Sequence, residues 1–94
     1  MKIIALDLTG CKYISEIHER IRVAFGFPEW YGKNWSAFWD LLWSECDADK
    51  VIIKGENSLP KELDKSLSKI HEILERNKKE RANGKHPFHY EIIS

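Results

Sequence analysis

A chain of 94 residues makes one domain around one core, and its 43% hydrophobic and 12% aromatic content is enough to fill that core, which argues against disorder. Fifteen basic and fifteen acidic residues cancel, so no global field draws the protein to nucleic acid or to an anionic membrane. No stretch approaches the roughly 18 apolar residues of a membrane span, and nothing in the composition implies a cofactor.

The opening run Met1-Lys2-Ile3-Ile4-Ala5-Leu6-Asp7 is too short in apolar residues for the core of a signal peptide, so the expected location is the cytoplasm. Cys11 and Cys46 match no metal-binding spacing. Free thiols in a reducing compartment are the expectation, with a disulfide between them as the alternative.

Residues 2–8 read as a strand whose nearly continuous apolar run suits burial on both faces. Thr9-Gly10 breaks it. Ser15 is the expected cap of a first helix carrying Ile14, Ile17, Ile21 and Ala24 at helical spacing, and Gly26 and Pro28 end it. A second helix is expected from an Asn34 cap to about Glu45, followed by a polar turn at 47–49 and a short strand, Val51-Ile52-Ile53, flanked by lysines.

After a loop at 55–58, Ser58 is expected to cap a long helix with Pro60 in its first turn and Leu63, Leu67, Ile70 and Leu74 as its core stripe. Asn83-Gly84 marks a turn, and residues 89–93 close the chain as a third strand. Strands separated by helical crossovers predict an α/β fold: a three-stranded parallel sheet packed with helices, with right-handed connections, in a single domain over 1–94.

The chemistry concentrates in one stretch. All four tryptophans, Trp30, Trp35, Trp39 and Trp43, lie within fourteen residues, with Tyr31 and Phe38 among them and Phe25 and Phe27 just before. Residues 27–49 hold five acids and one base, a local balance of −4 in a neutral chain. On a helical wheel, Phe38, Leu41 and Leu42 share one sector, while Trp39 and Trp43 border the polar sector of Ser36, Asp40 and Ser44. The apolar arc spans about 240°, well beyond the ~100° that a one-sided surface helix needs. Two readings compete: a helix buried on nearly all sides, or a partner site in which Trp39 and Trp43 stay exposed beside Asp40.

Residues 27–40, FPEWYGKNWSAFWD, resemble the signature of the barstar family of ribonuclease inhibitors, with Pro28, Glu29, Trp30, Tyr31, Gly32, Asn34, Ala37, Trp39 and Asp40 at the matching positions. The element order and the closing Ile92-Ile93-Ser94 are also family-like. The resemblance implies an intracellular inhibitor that blocks a ribonuclease with an acidic, aromatic helix and the loop before it. In that picture Asp40 imitates a substrate phosphate before the enzyme's arginines and histidine. Trp30 and Trp39 pack around the ion cluster, Gly32 allows close backbone approach, and Asn34 starts the helix while facing the partner. Tyr31, Ser36 and Trp43 complete the implied partner-binding set.

Three departures stand out. Ser36 replaces a second motif aspartate one turn before Asp40, which weakens the negative patch and points to a different target ribonuclease. The family also takes an acidic contact from its last helix; here Glu75 and Glu80 are candidates, and Arg76 stands closest to the expected place. Trp43 lies one residue away from a family tryptophan.

The four histidines, His18, His71, His86 and His89, show no metal-ligand spacing, and no phosphate loop, nucleophile elbow or carboxylate pair suggests an enzyme. The rival reading is a non-inhibitory protein- or nucleic-acid-binding module, drawn from the aromatic face and a basic cluster of Arg76, Lys78, Lys79, Arg81 and Lys85. Against RNA, the aromatics lie in an acidic stretch rather than among the bases. The expected partner is therefore a ribonuclease, not a nucleic acid or a membrane, and the free protein is expected to be monomeric.

Overall fold

The structure, a computed structural model, describes residues 2–32, 34–44, 48–82, 84 and 87–93. The expectations placed on Cys46, on the turns at Asp47 and Asn83, and on Lys33, Glu45, Lys85, His86 and Ser94 lie outside those residues.

Strands β1 (Ile3–Asp7), β2 (Lys50–Lys54) and β3 (His89–Ile93) form one parallel sheet in the spatial order β1-β2-β3. Helices α1 (Ile14–Phe25), α2 (Trp35–Ser44) and α3 (Asp64–Arg81) fill the connections, so the α/β class expected from the alternation of patterns is the one observed. Because strand side chains alternate between faces, the register sets Ile4 beside Val51 and Leu6 beside Ile53. All four are buried in one cluster with Ile17, Phe38, Leu42, Ile70 and Leu74 of the helices.

The opposite face corrects the reading of β1 as buried on both sides. Ile3 is 51% exposed and Ala5 is also exposed, while Lys50 and Glu91 make an ion pair there at 3.2 Å. The helices supply a layer for only one side of the sheet, so only alternate strand residues reach the core.

Two helix starts also differ from expectation. Ser15 lies inside the first turn of α1; the start is instead held by Glu16, whose carboxylate accepts from the backbone N–H groups of Lys12 and Tyr13 at 2.9 and 3.1 Å. Ser58 does not cap α3. Pro60 forces Leu59 into an extended conformation, so two short 3₁₀ turns, Glu56–Ser58 and Lys61–Leu63, precede the helix. The Ser58 hydroxyl donates to Gly55 O at 2.7 Å and accepts from the Gly10 N–H at 3.3 Å. Gly55 has a left-handed φ of 83°, and a Cβ there would lie 2.5 Å from the Thr9 backbone nitrogen. Gly26 ends α1 in the left-handed conformation, as its position predicts.

Candidate functional site

The connection from α1 to α2 is held by aromatic packing and one buried hydrogen bond. Phe25 and Phe27 stack at 5.2 Å, and Phe38 meets the edge of Phe25 at 5.6 Å. Trp35, half-buried, lies against the His18 ring with centroids 4.3 Å apart. The Tyr31 hydroxyl is 2.8 Å from Nδ1 of His18. Burial pushes the Tyr31 phenol far above its ordinary ionisation range, so it keeps its proton in this contact.

Among the expected contact residues, Tyr31 stands apart. Tyr31 is only 3% exposed; its ring is part of the core, because its neighbours Phe27 and His18 close around it. It fixes the loop and offers almost no surface of its own to a partner.

Gly32 and Asn34 act together at the start of α2. The Asn34 side chain accepts from the Ala37 N–H at 2.8 Å and donates to Gly32 O at 3.1 Å, so both ends of the amide serve the cap. A Cβ on Gly32 would stand 2.9 Å from the Asn34 amide nitrogen. The absent side chain at Gly32 is therefore room for the cap. Both residues are exposed.

Beyond the cap, α2 has two unlike faces. Phe38, Leu41 and Leu42 are buried. Ser36, Asp40, Trp43 and Ser44 are exposed, with Trp39 half-buried between them. The 240° apolar arc is resolved by this division, since Trp43 remains 49% exposed. Trp30, in the loop before the helix, is 75% exposed.

The outer aromatics are set by α3. Trp39 and Trp43 stack with centroids 5.8 Å apart. The Arg76 guanidinium lies 4.3 Å from the Trp39 ring centre and that of Arg81 lies 6.0 Å from Trp43. Each such contact contributes about 0.5–1 kcal/mol at an exposed position. Arg81 also donates to the carbonyls of Leu42 and Trp43 at 3.1 and 3.3 Å, a cation at the negative end of α2. Between the helices runs an open groove of about 300 Å³, with Ser36, Trp39 and Asp40 on one wall and Lys69, Glu72 and Arg76 on the other.

Asp40 is the exception in this arrangement. Among the described residues its carboxylate makes no hydrogen bond or ion pair, and it stands in an open groove rather than an enclosed cleft. Nothing there resembles a general acid–base pair, and no set of three metal-binding side chains occurs among the described residues. No helix among them is long and apolar enough to cross a membrane. The family resemblance sets Arg76 closest to the place of the last-helix contact; what the sequence does not show is that its guanidinium lies over Trp39.

A three-stranded parallel sheet packed with three helices on one side is a barstar-like α/β fold. The family model Barstar (barnase inhibitor) matches residues 1–93, and the chain belongs to the barstar family. Members of that family inhibit ribonucleases rather than acting as enzymes. No curated protein matches the chain.

Proposed function

We propose that this protein is a cytoplasmic, monomeric inhibitor that binds a barnase-type ribonuclease through the solvent face of α2 and the loop before it. Asp40 is the anionic prong, entering the active site in place of a substrate phosphate. Trp30, Trp39 and Trp43 supply apolar contact around it, Gly32, Asn34 and Ser36 complete the surface, and Tyr31 positions the loop from within. The observation that carries this reading is the Asp40 carboxylate, exposed and unpaired among the described residues in the groove that Trp39 lines. An acid left without a partner in the free protein is a group available to one outside it.

Blockade requires only steric occupancy and charge complementarity, so no cofactor or catalytic residue takes part. The nucleic-acid alternative is less well supported, because two cations of the basic cluster, Arg76 and Arg81, are engaged with Trp39 and Trp43.

The test is inhibition of a purified barnase-type ribonuclease by the wild-type protein and by Asp40→Ala. Removing one partner of a desolvated ion pair costs about 3–5 kcal/mol, so affinity should fall at least about 100-fold. Equal inhibition by both proteins would remove Asp40 from the mechanism. Ser36→Asp, which extends the anionic patch by one helical turn, should tighten binding to the same enzyme.

A further inference from the structure

A face that receives a basic partner already contains a fixed cation. Arg76 reaches from α3 across the groove and lays its guanidinium 4.3 Å from the Trp39 ring centre, directly beside the helix position that carries Asp40. Among the described residues Arg76 forms no ion pair, while Glu72 in the same groove is drawn to Lys69 at 3.9 Å. On the opposite wall Ser36 carries no charge, and Asp40, the acid there, makes no ion pair with the guanidinium among the described residues.

A partner that packs on Trp39 must meet this guanidinium. If Arg76 swings away, it gives up the cation–π contact and uncovers indole surface. If it stays, it is desolvated against whatever the partner presents, and a like charge there is unfavourable at low local dielectric. An acid there instead pairs with the planar guanidinium through two hydrogen bonds.

We propose that Arg76 is a specificity-determining residue of the Asp40 face: it rejects ribonucleases whose contact surface carries only cations and selects one that sets a carboxylate beside the cation received by Asp40. This rests on the reading of that face as the ribonuclease-binding surface. Repulsive elements of this kind separate related partners more sharply than added attraction does.

The probe is a barnase-type ribonuclease whose active-site rim carries lysine and arginine but no acid, together with single Lys→Glu and Arg→Glu variants of that rim outside the catalytic residues. Wild type, Arg76→Glu, Arg76→Met and Asp40→Ala are titrated against each. On the all-basic enzyme, Arg76→Glu should bind about tenfold tighter than wild type, with Arg76→Met between them and the gap shrinking in 0.5 M salt. At one rim position the order should invert, the glutamate-bearing enzyme preferring wild type. Arg76→Met preserves much of the apolar cover on Trp39, so a merely structural Arg76 would give no inversion. Binding that is lost in Asp40→Ala but unmoved by Arg76→Glu overturns the role of Arg76 alone. Binding that survives Asp40→Ala overturns the reading of the face, and absence of binding by every variant overturns both.

Discussion

The aromatic residues between 25 and 43 fall into two sets with the same chemistry and opposite fates. Phe25, Phe27, Tyr31, Trp35 and Phe38 turn inward and touch one another or His18 at centroid distances of 4.3 to 6.4 Å. Trp30 and Trp43 are exposed and Trp39 is half-buried, and two of the three meet arginines of α3. Aromatic density alone therefore does not mark a binding site. What separates the sets is their neighbours: the inner rings are closed in by apolar groups, whereas the outer ones lie beside charges that need solvent or a partner.

The strongest way to break that comparison is to remove the centre of the inner set. Phe38 is fully buried, and Phe38→Ala should cost about 3–5 kcal/mol of stability, read as a lower urea midpoint by circular dichroism. A loss below about 1 kcal/mol would mean that the inner cluster is loosely packed and that the division is not a structural one.

Tyr31→Phe tests the same cluster through the hydrogen bond between Tyr31 and His18. Losing the hydrogen bond to His18 should cost about 1–2 kcal/mol, since the imidazole is left buried without that partner. The sign of its pH dependence follows from burial. The folded phenol ionises above the ordinary value of 10, so the unfolded chain releases its proton first. Stability is complete below pH 10 and is lost as pH rises toward the folded value. Tyr31→Phe should remove this alkaline component, seen as a flatter stability profile above pH 10. An unchanged profile would assign the alkaline loss to another group.

Much of the fold was legible because its signals are local. Hydrophobic runs identified all three strands, and Asn34 and Gly26 marked the ends of their helices correctly. Errors arose where one local signal outweighed another. Ser58 has the right side chain for a cap, but Pro60 constrains the residue between them, and Ser15 yields to the Glu16 carboxylate one residue further on. The site was half legible. The wheel separated Phe38 from Asp40, since helical periodicity alone decides that. It could not show that Tyr31 points inward, because a loop has no periodicity, nor that Arg76 covers Trp39, because that contact joins residues 37 positions apart.

Gly32→Ala links the two sets at their junction. The added methyl must displace the Asn34 amide and so disturb the cap that aims α2. A cost of about 1 kcal/mol is expected, with slower, weaker ribonuclease binding. Stability and binding both at wild-type values would show that the amide can move aside without loosening the helix.

The smallest effect belongs to Asp40→Ala in the absence of any partner, and it has the opposite sign. Asp40 sits in the interior of α2 with its carboxylate exposed and unpaired among the described residues, so the free fold gains nothing from it. Alanine is the better helix former by up to about 0.7 kcal/mol, and the variant should be more stable than wild type by roughly that amount. The measurement is a paired urea titration of the two proteins at neutral pH. A loss of 1 kcal/mol or more would mean that the fold itself uses the carboxylate. A small gain, together with a large loss of binding, is the pattern of a residue whose helix stability has been given up for a partner.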